Sequence, residues 1–550
     1  SYSATVDSTG QGAGQVLRAA SLDIKVTYYA TSFAATGPAG GLSASVASAS
    51  LNKATAQTGL SATALLAGSG SVDVTGIANV QVFGHAKSNA LGRTYSLSIA
   101  GVKLTVNWTG ATLNATQRAN VKNTGAMTIG GTLKINSEFV KDGSGYGEAT
   151  ATTGGAGGGT SVSILSASTN VARAIVAAMI YAGITNEPGD MPGLLQAGSI
   201  DIDATVDTKS TATAKAAYEV SIATIGNLDA TAIIYSTVEA YIQRALVEVS
   251  GNVSVNSSST ATASASSDSP GGVGLAVASN AKARTFIGMP TSANLSGDDQ
   301  SGIADLLGQK PQTASAYVDA ATVTAGGNIT IKAYNTGYAS SEVKKATTVG
   351  LATISNSIIP TFSEYYTKAQ VLNGSTLDAT GNISITAEDY TRARSVAQGT
   401  SIGLGVNANT MYGRNFQDVV TWVDISASLV KAGEALNVLA TSRADMYAET
   451  VANGGGLFSG DSLKVSNTLY RNTKVNILSG ARVEADYGDL TIKATSGTSD
   501  TITTRATISS GGLVAFGTIH GYSTVSSGAT VNVNSRSEEH TSELQSRGLI

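Results

Sequence analysis

Short stretches in which aliphatic and polar residues alternate recur along the whole chain. In one copy, GGNITIKA (326–333), a glycine turn is followed by alternation that places Ile329 and Ile331 on one face of an extended strand. A period of two is typical of a half-buried β-strand. The first aliphatic residue of each of nine copies is Leu22, Val72, Leu133, Ile200, Val253, Ile329, Ile383, Leu436 and Leu490. We predict that these residues form one inward-facing column.

The spacing of the copies indicates a repeat with a period of about 54 along the chain. Subtracting the neighbouring position numbers of the nine copies gives 50, 61, 67, 53, 76, 54, 53 and 54. A second landmark, a glycine followed by leucine, recurs at a nearly constant distance after the first one, at Leu42, Leu275, Leu351, Leu404, Leu457 and Leu513. Two longer insertions, 181–196 and 287–312, contain Gly and Pro and are predicted to be surface loops or short helices.

Repeats of this kind cannot bury a face alone and must stack on their neighbours. The predicted fold class is therefore all-β, an elongated, parallel β-helix-like β-solenoid with one wide rung or two half-rungs per repeat. The small-residue alternation STATASASSD (259–268) suits two sheets in close approach. Residues 1–20 are predicted to be an incomplete leading repeat, and residues 21–535 the repeat array.

The last residues do not continue the repeat. RSEEHTSELQS (536–546) matches, residue for residue, the translation of a common sequencing-library adapter. We expect residues 536–550 to be an artefact tail and not a domain, with the origin of 547–550 open. The repeat before the tail breaks off before its second landmark, so we expect the chain to be a fragment of a longer protein.

Composition narrows the classes of protein. With 42% hydrophobic and 5% aromatic residues, a thin packed core is favoured over disorder. The formal charge of −4 gives no basic surface for a nucleic-acid partner. The chain has no cysteine, which excludes disulfides and thiolate metal sites. No run of about 18 apolar residues is present, so no membrane insertion is expected in this fragment.

The strongest carboxylate pair in the sequence is Asp201 and Asp203, which alternation places on one outward face. Two such groups could act as acid and base in glycoside cleavage or could bind Ca²⁺. Because the neighbouring repeats place Lys134 and Ser254 in the same column, a solvated face is the favoured interpretation. The GDDQSG segment (297–302) lacks the ligand spacing of a calcium loop.

No other motif indicates chemistry. His85 and His520 lie in no metal or nucleophile pattern, and GGAGGG (154–159) lacks the Lys and Ser or Thr of a phosphate-binding loop. Sequons at Asn252, Asn328 and Asn382 arise because Asn precedes the aliphatic position of the repeat. We therefore predict no catalytic, cofactor-binding or metal-binding residues, no cofactor, and no enzymatic activity.

At the level of whole repeats, ASAYVDAATVTAGGNITIKA (314–333) and AQVLNGSTLDATGNISITA (369–387) resemble the repeats of giant bacterial filamentous adhesins of the haemagglutinin and leukotoxin-like kind. The resemblance covers roughly residues 20–535. It implies a non-catalytic, structural and adhesive rod, secreted or on the cell surface in association with the outer membrane. Its implied partners are host surface glycans, matrix proteins or other bacterial cells, bound multivalently.

An alternative class is a secreted β-helix polysaccharide lyase or hydrolase, since such enzymes use the same solenoid. For the adhesive class, the insertions at 181–196 and 287–312 are the predicted contact surfaces, because loops on a rigid scaffold often carry binding residues.

Overall fold

A computed structural model describes residues 1–7, 16–36, 42–92, 97–140, 147–154, 160–216, 218–269, 272–288, 311–345, 348–497 and 499–534. Within these ranges the chain is all-β, as predicted, and contains no helix. Every strand pairing in these ranges is parallel, which is the arrangement of a β-solenoid.

The described ranges contain 28 strands. In chain order they are β1 (Tyr2–Asp7), β2 (Val16–Ala19), β3 (Leu22–Thr36), β4 (Leu42–Gly68), β5 (Ser71–Val74), β6 (Ala78–Gly92), β7 (Leu97–Asn123), β8 (Ala126–Val140), β9 (Glu148–Thr153), β10 (Thr160–Thr185), β11 (Leu194–Lys215), β12 (Tyr218–Gln243), β13 (Leu246–Val249), β14 (Val253–Ser269), β15 (Gly272–Ile287), β16 (Gln312–Asp319), β17 (Thr322–Ala325), β18 (Ile329–Lys345), β19 (Thr348–Leu372), β20 (Thr376–Ala379), β21 (Ile383–Ile425), β22 (Leu429–Ala432), β23 (Leu436–Gly455), β24 (Phe458–Ile477), β25 (Val483–Ala485), β26 (Leu490–Ser496), β27 (Thr501–Gly511) and β28 (Val514–Val533).

Each coil has two long faces and one short face. The first long face contains β3, β6, β9, β14, β18, β23, β26 and β27, with the later parts of β8 and β11 and the first half of β21. The second contains β1, β4, β7, β10, β12, β15, β16, β19, β24 and β28, with the second half of β21. The short face contains β2, β5, β13, β17, β20, β22 and β25, with the starts of β8 and β11.

The predicted aliphatic column is confirmed at eight of its nine positions. It starts the first long face, and its register runs through Leu22, Ala78, Leu133, Ile200, Val253, Ile329, Ile383, Leu436 and Leu490. Six of these residues, from Leu133 to Leu436, are 0 or 1% exposed. Because the strands pair in parallel register, equivalent positions of successive repeats lie on top of one another.

The assignment of Val72 to this column is wrong. Val72 lies in β5 on the short face, where its register partners are Leu17 and Met127. Ala78 occupies the column position in that coil. The short strand SVDV has the same turn and alternation as the start of a long face, so alternation alone cannot separate the two. With Ala78 in place, the first two intervals of the column, from 22 to 78 and from 78 to 133, become nearly equal.

The core is a thin layer between the two long faces. Small inward residues such as Ala261 and Ala263 are buried, as the small-residue alternation predicted. Hydroxyl groups join the faces directly: Thr361 Oγ1 donates to Ser341 Oγ at 2.9 Å. Because two sheets packed on Ala, Ser and Thr approach closely, each coil is wide and flat.

Simple strand geometry gives the size of the stack. A long face of 25 residues, as in β19, spans about 80 Å at about 3.3 Å per residue. Nine coils at about 4.8 Å each rise about 40 Å. The outer surfaces of the long faces are therefore broad enough to hold extended contact areas.

Strands extend into both predicted insertions, so the loops between them are shorter than the predicted ranges. In the first, β10 continues to Thr185 and β11 begins at Leu194, so the loop is only 186–193. Of the second, only 287, 288, 311 and 312 are described, and Ile287 and Gln312 end and begin strands of the second long face. The GDDQSG segment, residues 155–159 of the glycine-rich segment and the adapter-like tail lie outside the described residues.

Candidate functional site

An apolar surface crosses seven consecutive coils near the start of the second long face, and we call it the apolar stripe. Three of its columns are in register: Val162, Val220, Val273, Val349 and Ile402; Leu165, Ala223, Ala276, Ala352, Val406, Phe458 and Val514; and Ala167, Ile225, Ala278, Ile354, Ala408, Gly460 and Phe516. A fourth set lies in the sequence directly before the second of these columns, where the ladder is interrupted: Ile164, Ile222, Leu275, Leu351, Leu404, Leu457 and Leu513.

The large side chains of the apolar stripe face solvent. Leu351 is 50% exposed, Leu404 64% and Ile354 60%. Between Gly350 and Ala352 the register with the next coil shifts, and this irregularity interrupts the inward and outward alternation. As a result, neighbouring apolar residues reach the outer surface, where a regular strand would place every second one inside.

The stripe contains no charged residue in any of its seven segments, such as VGLAVA (273–278) and VGLATI (349–354). Sixteen of its large side chains are at least 39% exposed, which presents on the order of 1,000 Å² of apolar surface. Apolar patches above a few hundred Å² are unusual on a solitary soluble protein and mark contact surfaces.

The second sequence landmark is the centre of this stripe. The Gly-Leu landmark served only to measure the length of the repeat, yet its leucines from Leu275 to Leu513 are all at least 50% exposed. A signal was present: in VGLATI (349–354) apolar residues occupy both parities of the strand, which a half-buried strand does not need.

A second surface lies farther along the same long face, and we call it the aromatic surface. Its members alternate along three strands with the residues that face the main core, and Phe362, Glu364 and Phe416 among them are buried: Phe362, Glu364, Tyr366, Lys368, Arg414, Phe416, Asp418, Trp422, Tyr470 and Lys474. In one column of this surface an aromatic ring lies between two cations. The Nζ atoms of Lys368 and Lys474 lie 5.5 and 5.7 Å from the ring centre of Trp422, which they flank in the register.

Stacked rings form the floor of the aromatic surface. Phe286 and Phe362 stack with ring centres 5.5 Å apart, and Phe416 and Tyr470 continue the row at 6.0 and 5.7 Å. Phe286, Phe362 and Phe416 are at most 3% exposed, while Tyr470 is exposed. The guanidinium of Arg414 lies 5.1 Å from the ring centre of Phe362. The surface therefore combines a rigid apolar floor with cations at its rim.

The aromatic surface also contains a carboxylate pair that the sequence reasoning missed. Glu364 and Asp418 are register partners in adjacent coils. Burial, with a contribution from the Asp418 charge, raises the pKa of Glu364 to about 7. Burial also raises the pKa of Asp418. These residues are a full repeat apart in the chain, so only the register of the coils brings them together.

In the described coils on either side, the predicted pair Asp201 and Asp203 has no further carboxylate as a register partner. Its neighbours across coils are Lys134 and Ser254 at the first position and two asparagines at the second. Asn256 Nδ2 donates to Asp203 Oδ1 at 2.9 Å. Burial, with the nearby Asp203 charge, raises the pKa of Asp201. Among the described residues no group of three or more His, Cys, Asp or Glu side chains lies close enough to hold a metal ion.

The sequon asparagines form a hydrogen-bonded row, which we call the asparagine ladder: Asn252, Asn328 and Asn382. Asn252 Oδ1 accepts from the Asn328 backbone N–H at 2.8 Å, and Asn328 Oδ1 accepts from the Asn382 N–H at 2.8 Å. Asn382 Oδ1 then accepts from the Ala435 N–H at 3.0 Å. The ladder supplies a structural reason for Asn at this position of the repeat.

The two described histidine rings lie on the outer side of their strands, where His85 is half-buried. His85 stacks on Tyr29 with ring centres 4.6 Å apart, and His520 is exposed on β28 in register with Lys464. Neither histidine is in a described cluster of metal-ligating side chains.

No protein-family model, curated protein or solved structure matches this chain. In the part of the chain that the structure describes, no helix is long and apolar enough to cross a membrane.

Proposed function

We propose that the chain is a non-catalytic, structural and adhesive solenoid from a secreted or outer-membrane-associated bacterial adhesin. Its targets would be host surface glycans, matrix proteins or other bacterial cells, as the resemblance of the repeats to filamentous adhesins implies. Contacts repeated along a rigid stack gain avidity, because each further contact forms at high effective concentration.

The observation that supports this proposal best is the arrangement of Lys368, Trp422 and Lys474 in three consecutive coils. The two ammonium groups lie over the indole ring, so the ring presents its apolar edge outward. The ammonium groups supply positive charge to carboxylate or sulfate groups. Tyr366 adds a further ring 5.3 Å from the Lys368 Nζ. Acidic surface glycans are therefore the ligand class that fits the aromatic surface.

The experiment compares two single-tryptophan variants of the full chain, since the protein has only two tryptophans. Trp422→Ala removes the indole ring of the aromatic surface. Trp108→Ala removes the other indole ring, which lies several coils away from the aromatic surface and contacts Lys53. Binding to immobilised acidic glycosaminoglycans and to cells should fall at least about tenfold for the first variant only. Equal binding by both variants would contradict the proposal.

The described loop at 186–193 is a second proposed contact surface. Met191 at its tip is 87% exposed. Replacing residues 187–191 with a short Gly and Ser linker should leave the β circular dichroism spectrum intact and reduce attachment to cells. Unchanged attachment would remove the loop from the contact surface.

One observation favours the alternative class, a polysaccharide lyase or hydrolase. Glu364, with a pKa raised to about 7, has the protonation expected of a general acid beside the second carboxylate, Asp418. Against this, Glu364 is only 7% exposed, which leaves little access for a polymer. Depolymerisation of pectin, alginate or glycosaminoglycans by the chain, abolished in Glu364→Gln, would establish this class in place of the adhesive one.

A further inference from the structure

We propose that a second copy of this chain covers the apolar stripe, so that two solenoids pair side by side along their stacks. The stripe lies far from Trp422 along the coil, so this inference is independent of what the aromatic surface binds. The area of the stripe, its lack of charge and the spacing of its side chains support this pairing.

The area matches what a stable pair of proteins needs. The stripe exposes on the order of 1,000 Å², and a standard interface buries about 800 Å² on each partner. Because the exposed groups extend over seven coils, about 30 Å along the stack, a single small ligand would cover only part of them.

The absence of charge decides what kind of surface can cover the stripe. Residues 273–278, 349–354 and the equivalent segments contain no Lys, Arg, Asp or Glu. A charged partner would lose hydration here without gaining an ion pair. A flat apolar surface of similar length is the complementary one, and another copy of the stripe has these properties.

The repeat adds geometric complementarity. In three consecutive coils the bulky side chains Ile222, Leu275 and Leu351 lie beside the small side chains Ala223, Ala276 and Ala352. Consider a two-fold axis that is parallel to the stack and passes between the bulky column and the alanine column. Rotation about this axis places each bulky side chain of one copy opposite an alanine of the other copy at the same coil level. Since both copies have the same coil spacing, this fit occurs in each of these three coils.

The first test measures the mass of the full chain in solution by sedimentation between about 1 and about 100 µM. We expect a species of twice the 55.2 kDa chain mass that persists at high salt, because the contact is apolar. The variant Leu275→Lys, Leu351→Lys, Leu404→Lys should be monomeric. The matched control Phe33→Lys, Leu51→Lys, Met191→Lys changes three exposed apolar residues outside the stripe and should still pair.

A second measurement does not depend on the folding of the lysine variant. The chain has no cysteine, so Ala276→Cys introduces a single thiol in the stripe. Mild oxidation should cross-link this variant into dimers, and Thr330→Cys on the first long face should stay monomeric. A monomeric wild type up to about 100 µM, equal cross-linking of the two cysteine variants, or binding to lipid vesicles in place of pairing would overturn the proposal.

Discussion

Asn328 Oδ1 accepts a hydrogen bond from the backbone N–H of Asn382, 2.8 Å away in the next coil. In the preceding coil Asn252 makes the same bond to Asn328. Each side chain thus satisfies a turn N–H of the following coil, which the strand ladder does not reach. The asparagine ladder therefore links each of these turns to the turn of the next coil, directly before the aliphatic residue that begins the long strand.

We predict that Asn328→Ala lowers the free energy of unfolding by about 1 kcal/mol. The substitution removes the acceptor for the Asn382 N–H but keeps the donor that Asn328 itself supplies to Asn252. Urea denaturation measures the change. Asn437→Ala, on the outer side of β23, is the matched control and should change the stability by less than about 0.5 kcal/mol.

Gly381 is required by the same row of side chains. A Cβ at this position would lie 2.4 Å from Asn328 Oδ1 and 3.1 Å from backbone atoms of Gly327. We expect Gly381→Ala to destabilise the fold by about 1 to 3 kcal/mol, while Gly59→Ala, where a Cβ meets no atom within 4 Å, has a small effect. In a double-mutant cycle with Asn328→Ala the two losses should be less than additive, because removing the amide relieves the contact. Fully additive losses would contradict the proposed contact between position 381 and the Asn328 side chain.

Asp389 should make stability depend on pH. It is buried in the core, where Thr367 Oγ1 donates to its Oδ2 at 3.1 Å, and burial raises its pKa from 3.8 to about 8. The folded chain therefore keeps a proton that the unfolded chain releases above pH 3.8. The stabilising contribution of the neutral acid is complete below pH 3.8 and is lost as pH rises through 8.

The variant Asp389→Asn has no carboxyl to ionise. Its free energy of unfolding should equal that of the wild type near pH 4 and exceed it by a few kcal/mol above pH 8. Denaturation at several pH values measures the difference, and a difference that stays constant from pH 4 to 9 would count against a neutral Asp389.

Arg471 and Asp500 form a nearly buried ion pair between faces. Arg471 Nη1 and Nη2 donate to the two carboxylate oxygens at 3.0 and 2.6 Å. Asp500→Ala leaves the guanidinium buried without its counter-charge and should cost about 3 to 5 kcal/mol. The exposed pair of Arg18 and Asp73 is the comparison: Asp73→Ala should cost less than about 1 kcal/mol. Similar losses from the two alanine variants in thermal or urea unfolding would refute the prediction.

Alternation and period were sufficient to predict an all-β solenoid and the aliphatic column, because parallel stacking preserves both. Val72 was misplaced since the short face and the first long face begin with the same pattern. The apolar stripe was not predicted, because there the chain departs from alternation and its leucines look like core residues in the sequence. Glu364 and Asp418 meet only through the register of the coils, which insertions of different length conceal.

The register has a mechanical consequence. The backbone hydrogen bonds between the described strands of adjacent coils point along the stack, so a pull along that axis is shared by all of these bonds between two coils at once. A pull on one chain end instead loads these bonds one after another, and the outermost coil peels away residue by residue. We expect the same molecule to resist tension strongly in the first direction and to yield gradually in the second.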